Sequence, residues 1–306
     1  MRKVSRTKAG RPKFYPQLCV LITGTPGIGK SVFGEILCGV ISERRKPALL
    51  FHQIGQTGAL KMIWQKKVFD VSIAQAKRVI STLSRDGLFS DLAHEDDVIE
   101  IWSIGDTTLP LHDLSINRIV ITSPGEARVG HFADDLKLWI KANSPLTLVV
   151  PPCTWEEMLN IRLAWGENAQ CSIDTLRERF ELWGGVPRNI IGSQYLSSSR
   201  ADQEFKYLTI ADAVRCIVHY DLDRRPRSGK LFHLLPAFRL PREHQTLSLE
   251  DRYNANNAVY YWASEQMESK AWMKYRHENE SAVLDFITTL NNSPYRPREG
   301  VGRENT

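Results

Sequence analysis

Residues 18–37, LCVLITGTPGIGKSVFGEIL, constrain the fold more than any other stretch of the chain. The run LCVLITG is apolar throughout and ends in glycine, the pattern of a strand buried on both faces. The SVFGEILCGVISERR that follows carries its apolar residues at helical spacing. Between the two, Gly24, Gly29, Lys30 and Ser31 satisfy G-x-x-x-x-G-K-[ST]. Glycines there let the backbone curl until several N–H groups face one anion, and the helix that follows adds its positive end. In such a loop the lysine reaches the β- and γ-phosphates and the hydroxyl ligates Mg²⁺. The expected ligand is a nucleoside triphosphate with Mg²⁺, held by Gly24, Thr25, Pro26, Gly27, Ile28, Gly29, Lys30, Ser31 and Val32.

Downstream, strand-like and helix-like segments alternate. ALLFHQIG and ALKMIWQKKVFDVS, separated by a glycine-bearing turn, have the alternation of a hairpin or strand pair, and SIAQAKRVISTLSRDGLF has the spacing of an amphipathic helix. DDVIEIWSIGD and SINRIVITSPG are apolar strands, FADDLKLWIKANS is helical, and PLTLVVPP is a short strand stopped by two prolines. Thr154 is placed to cap a helix over TWEEMLNIRLAW. This order, sustained to about Pro152, predicts an α/β fold: a P-loop NTPase with a mostly parallel central sheet flanked by helices.

After LWGGVPRN the character changes. LTIADAVRCIVHY, NANNAVYYWASEQMESKAWMK and ESAVLDFITTL read as helical, with KLFHLLPAFRL the only strand candidate. A smaller, mainly helical subdomain is expected, with a winged-helix unit as one form of it. The expected divisions are a basic flexible tail over 1–16, the P-loop core over 17–195, the helical subdomain over 196–292 and a flexible end or linker over 293–306.

A Mg²⁺ on Ser31 needs a second carboxylate ligand, through water, at the end of a neighbouring buried strand. Asp106, closing VIEIWSIGD, fits that position, whereas Asp96 and Asp97 precede their strand. The plainer reading makes Asp106 the start of a turn. Many P-loop ATPases place a glutamate beside this aspartate to polarise the attacking water; here the neighbour is Thr107, so slow hydrolysis or another base is expected. Thr122 and Ser123 end the other strand, where a hydroxyl would sense the γ-phosphate, and a turn beginning at Ser123-Pro124 accounts for them equally. In GGVPR, residues 184–188, a glycine pair, Pro187 and Arg188 suit close approach to an adenine and a phosphate, or equally a helix terminator followed by a solvated arginine. The candidate catalytic set is therefore Lys30, Asp106 and Arg188, with Ser31 and Asp106 as metal ligands and Ser123, Pro187 and Arg188 joining the loop in nucleotide contact. Glu268 and Lys270 have the E-x-K spacing of a metal nuclease but lie in a helical pattern, where solvated charges explain them better.

Charge narrows the partners. Of the 40 Lys and Arg residues, Arg2, Lys3, Arg6, Lys8, Arg11 and Lys13 open the chain with no acid among them. The remaining 34 face 35 Asp and Glu, so the body is near neutral and its overall charge gives no support to tight phosphate-backbone binding. The AGRPK of the tail has the composition of a minor-groove arm or nuclear import signal, and also that of a disordered solubilising tail. Cys19, Cys38, Cys153, Cys171 and Cys216 are scattered without C-x-x-C spacing, which favours reduced thiols and an intracellular site of action. No run of 18 apolar residues is present to span a bilayer, and the first apolar run leads into a glycine loop rather than a cleavage site.

Taken in order, these segments resemble the P-loop NTPase domain shared by Crinkler effectors and trypanosome retrotransposon hot spot (RHS) proteins, related to STAND- and AAA-type ATPases. GTPGIGKSVFGEIL is similar to that family's loop and helix, IEIWSIGD to its aspartate-ended strand, and ITSPGEARVGHF to its Ser-Pro motif with a following aromatic. PPCTWEEML resembles the segment after the next strand, RFELWGGVPRNI the Gly-Gly-hydrophobic-Pro-Arg signature, and LFHLLP and AVYYWASEQM the later segments. The resemblance covers about residues 18–290. It implies an ATP-driven switch or slow ATPase, with GGVPR near the base and Arg188 in a sensor-like role. It also implies a history as an effector or selfish-element toxin, secreted and acting in a host nucleus or cytoplasm, with a separate nuclease or kinase-like domain doing the damage. The chain lacks an LFLAK-type translocation header and stops shortly after REGVG, where an effector domain would begin.

Two other readings stand beside this one. A host-protein or nucleic-acid binding module would keep the P-loop as a relic and draw its affinity from the tail. A small-molecule kinase would need an arginine-rich lid that neither ERRK nor DLDRRPRSGK is well placed to supply. Without a convincing N-K-x-D guanine signature, ATP is favoured over GTP.

Overall fold

The computed structural model describes residues 4–6, 12–14, 17–43, 48–55, 58–85, 100–114, 116–123, 131–166, 171–191, 198–206, 208–209, 212–213, 230–236, 258–275, 284 and 287–288. By its contacts the chain divides into two units, Met1–Thr23 with Gly29–Leu148 and Gly24–Ile28 with Val149–Thr306. Within the basic tail, β1 (Val4–Arg6) pairs antiparallel with β2 (Pro12–Phe14).

A seven-stranded sheet is formed by β3 (Cys19–Gly24), β4 (Ala48–Ile54), β5 (Leu60–Trp64), β6 (Lys67–Val71), β7 (Glu100–Asp106), β8 (Asn117–Ile121) and β9 (Leu146–Val150). Their spatial order is β6-β5-β4-β7-β8-β3-β9. The apolar runs of β3, β7 and β8 are buried along nearly their whole length, as strands covered on both faces must be. β3 runs parallel to β8, β8 to β7 and β7 to β4, while β5 and β6 extend the far edge antiparallel. Helices α1 (Lys30–Ser42), α2 (Ile73–Arg85) and α3 (His131–Asn143) alternate with the strands, so the α/β class read from the alternation is the fold observed. Ala76 and Ile80 of α2 close a core with Leu49, Phe51, Leu60, Leu111 and Ile116.

One segment corrects the expectation. ALLFHQIG and the next stretch do pair, as β4 and β5, but ALKMIWQKKVFDVS is itself a hairpin of β5 and β6. The chain reverses at Gln65 and Lys66, both left-handed with φ of 48° and 64°. A two-residue turn of the type I′ kind requires positive φ at both positions and usually announces itself with Asn or Gly. Gln-Lys carries no such signal.

Helix α1 also departs from simple amphipathicity. It buries Lys30, Gly34, Cys38 and Ile41 and exposes Val32, Phe33, Ile36 and Val40. The buried stripe is narrow and lies close to the sheet: a Cβ at Gly34 would come within 2.7 Å of Ile121 Cδ1.

The second unit contains α4 (Trp155–Trp165), α5 (Ile173–Trp183), α6 (Pro187–Ile190), α7 (Ser198–Lys206), β10 (Phe232–Leu235), β11 (Val259–Trp262) and α8 (Glu265–Tyr275). Thr154 caps α4 as its sequence predicts, accepting from the Glu157 N–H at 3.2 Å while the Glu157 carboxylate accepts from the Thr154 N–H at 2.7 Å. Val149, Met158, Leu176, Trp183, Phe232 and Tyr275 belong to its core. NANNAVYYWASEQMESKAWMK is not one helix. Its VYYW forms β11, paired antiparallel with β10, before α8 begins. A β-branched residue followed by three aromatics suits a pleated, half-buried surface better than a helix. LTIADAVRCIVHY and ESAVLDFITTL fall largely outside the described residues. Cys19, Cys38, Cys153 and Cys171 form no disulfide, and Cys216 lies outside the described residues.

Candidate nucleotide-binding site

The strand order reverses at β3. From β3 the chain goes to β4, three places to one side, fills in β7 and β8 on the way back, and then crosses to β9 on the other side of β3. In open α/β sheets, ligands collect beyond the carboxyl ends of the strands at such a reversal. The segment leaving that point is the glycine loop. Gly29 is the N-cap of α1 in the left-handed conformation, φ 95° and ψ 15°, with no side-chain cap and no acid in the first turn of the helix. A Cβ on Gly29 would meet nothing within 4 Å, so conformation and not crowding calls for glycine there. Lys30 is buried, whereas Ser31 and Val32 are exposed.

Residues 24–28 are tied into the second unit. The Thr25 hydroxyl accepts the Leu234 N–H at 3.0 Å in a buried bond between residues 209 apart in sequence. The Arg188 N–H donates to the Gly27 carbonyl at 3.4 Å. A Cβ on Gly27 would lie 2.9 Å from Arg188 Cβ and 3.2 Å from Val186 Cγ1, so the Val186 and Arg188 side chains pack directly against the Gly27 backbone. Pro187 occupies the first turn of α6, and the Arg188 side chain is exposed. The β10 backbone is not singled out by sequence; a strand's N–H leaves no mark in the residue order.

In the first unit, Ile22, Ile121, Asp106 and Ile54 stand in one register row across β3, β8, β7 and β4. Asp106 therefore ends a strand two places from β3, about 10 Å across the sheet, and not the adjacent one expected from sequence. The adjacent place belongs to β8 and the Thr122–Ser123 end. Thr122 donates its N–H to the Ile22 carbonyl at 3.0 Å, and Thr122 and Ser123 are both buried at the same edge. Pro124 and Gly125 lie outside the described residues. Residues opposite one another in a row share a face. Because Gly34 of α1 sits over Ile121, Asp106 lies on the face that α1 covers.

Thr107, marked in the sequence only by the glutamate it replaces, has a structural part of its own. It is β-branched yet left-handed, with φ 54°, a strain of about 1–2 kcal/mol. Its N–H donates to the Ile121 carbonyl at 2.7 Å, and its hydroxyl donates to Asp106 Oδ1 at 3.1 Å. The chain beyond is fastened from beneath. Ser103 Oγ donates to the Pro110 carbonyl at 3.0 Å, and the fully buried Arg118 donates to the Leu111 and Leu114 carbonyls at 2.7 and 3.0 Å. Asp106 is thus the buried end of a rigid strand with one carboxylate oxygen held by its neighbour.

The donor set suits the expected ligands. Mg²⁺ takes hard oxygen ligands and keeps several waters, and a serine hydroxyl with a carboxylate reached through water is that kind of set. An uncapped helix N-terminus preceded by left-handed glycine leaves backbone N–H groups for an anion. The E-x-K pair is otherwise engaged on α8: Glu268 accepts from the Tyr261 hydroxyl at 3.2 Å, and Lys270 pairs with Asp202 at 2.9 Å.

No protein-family model matches the chain. No curated protein matches it either. Among solved structures, the cytoplasmic domain of the Thermomonospora curvata type VII secretion ATPase EccC aligns with a TM-score of 0.28 at 16% identity, covering 51% of this chain. The chain spans 22% of that structure's length. The fold assignment rests on the strand order and register described above.

Proposed function

We propose that the chain binds a nucleoside triphosphate, ATP before GTP, together with Mg²⁺, and hydrolyses it slowly as a switch or ATPase module. The observation that carries this reading is the position of the loop: residues 24–31 leave the sheet where its order reverses and open a helix whose N-cap, the left-handed Gly29, makes no side-chain cap bond. Backbone N–H groups of the loop hold the phosphates, and Lys30 supplies the fixed positive charge beside them. Ser31 and Asp106 hold Mg²⁺, which neutralises charge developing on the transferred phosphoryl group. Ser123 lies at the end of the strand between those of the loop and Asp106, where its hydroxyl reads the terminal phosphate. Arg188, with its N–H on the loop and its side chain exposed, serves as the sensor, with Pro187 near the base.

Slow turnover follows from Thr107. Its hydroxyl orients Asp106 and, unlike a carboxylate, cannot take a proton from the attacking water. The resemblance of the segment order to that of Crinkler and RHS proteins extends the proposal to a module of an effector or selfish-element protein acting inside a host cell, in nucleus or cytoplasm. Calorimetric titration with ATP and GTP, each with Mg²⁺ and with EDTA, tests the central claim. Micromolar ATP binding that strengthens with Mg²⁺ supports it, and no heat with either nucleotide rejects it.

A further inference from the structure

His52 lies one layer beneath this site and takes no part in it so far. It is 6% exposed, in the middle of β4, and its Nε2 has no hydrogen-bond partner among the described residues. A buried polar atom left alone is costly and calls for an explanation. The register gives its surroundings. His52 stands opposite Ile104, two residues before Asp106 on the adjacent strand and on the same face. From 4.8 Å between strands and two residues along one, their Cα atoms are about 8 Å apart. Above it, a Cβ at Gly34 of α1 would lie 3.9 Å from Nε2, so the absent side chain of Gly34 leaves room over the imidazole. Burial pushes the imidazole's pKa down, against the opposing pull of the Glu35 and Asp106 carboxylates and with a smaller push in the same direction from Lys61. A neutral ring with an idle nitrogen therefore sits within electrostatic reach of the carboxylate assigned to Mg²⁺.

We propose that His52 is a positioning residue for Asp106: through one water molecule its Nε2–H holds the carboxylate oxygen that Thr107 leaves open, setting the carboxylate's orientation toward the metal. The inference rests on the nucleotide reading above. A water suits the place because Nε2 has no direct hydrogen-bond partner among the described residues and both ends are polar. His52 touches neither nucleotide nor metal; its effect is confined to how well Asp106 serves Mg²⁺.

The test compares ATP affinity in Mg²⁺ and in EDTA, by calorimetry, for the unsubstituted protein, His52→Leu and His52→Gln, with thermal unfolding of each in the absence of nucleotide. His52→Leu is expected to lower the affinity about 10-fold in Mg²⁺ and leave it unchanged in EDTA. Its unfolding temperature should hold or rise, because an apolar side chain replaces an unsatisfied one. His52→Gln, which keeps a donor, should recover most of the Mg²⁺-dependent gain. In an Asp106→Asn background, His52→Leu should add nothing further. Equal losses in Mg²⁺ and EDTA, no loss in either, or no recovery by glutamine would overturn the role. Absence of ATP binding by the unsubstituted protein would overturn the nucleotide reading, and this inference with it.

Discussion

Helices α1 and α4 begin in opposite ways. α4 closes on itself: Thr154 and Glu157 exchange two hydrogen bonds, and two glutamates stand in its first turn. α1 opens from a left-handed glycine with no cap and no acid. Both helices are flanked by well-buried structure, so the difference is not one of order. A capping box satisfies N–H groups of the first turn from within the chain, whereas a glycine N-cap has no side chain to do so, which is the difference the proposed phosphate site depends on.

That contrast can be broken by experiment. The largest effect belongs to Lys30→Ala, which should weaken ATP at least about 100-fold, or roughly 2.7 kcal/mol, while circular dichroism stays that of the folded protein. Equal affinity would mean that the open end of α1 is not a phosphate site. Asp106→Asn should come next, costing about 10-fold in Mg²⁺ and nothing in EDTA, since only the metal term passes through that carboxylate.

The second unit's closed character gives a pH dependence. Burial lowers the pKa of His233 from 6.5 to about 3, and its Nε2 has no partner among the described residues. The unfolded chain binds this proton below pH 6.5 and the native state does not. Stability is therefore complete above pH 6.5 and falls by up to about 1.4 kcal/mol per unit as the pH drops toward 3. Denaturant melts at pH 5 and pH 7 should differ more for the native chain than for His233→Leu; identical pH slopes would contradict the burial. The smallest effect completes the contrast. Thr154→Ala should cost about 1 kcal/mol of stability and leave ATP affinity untouched, measured by urea unfolding beside calorimetry.

The elements most legible in sequence are those that local rules decide. An apolar run ending in glycine, a threonine three residues before a glutamate and an aspartate closing an apolar strand each act within a few residues. What escaped depends on partners far along the chain. Nothing around Asp106 says that β8 inserts between its strand and β3, since strand order is set by crossovers and not by neighbours in sequence. Thr107 looked like a missing glutamate, and only its φ and its bond to Oδ1 give it a part. The β5–β6 turn at Gln65-Lys66 and the strand inside NANNAVYYW escape sequence for a related reason. In each, tertiary pairing imposed a conformation that local composition left ambiguous.

The bond from the Leu234 amide to the Thr25 hydroxyl bears on how this protein is cut for study. A fragment stopping at the end of the large sheet would contain every letter of the glycine motif and still lack the donor that holds its second position. Failure of such a fragment to take up nucleotide would then report on missing scaffolding more than on chemistry, so the intact polypeptide is the right starting material.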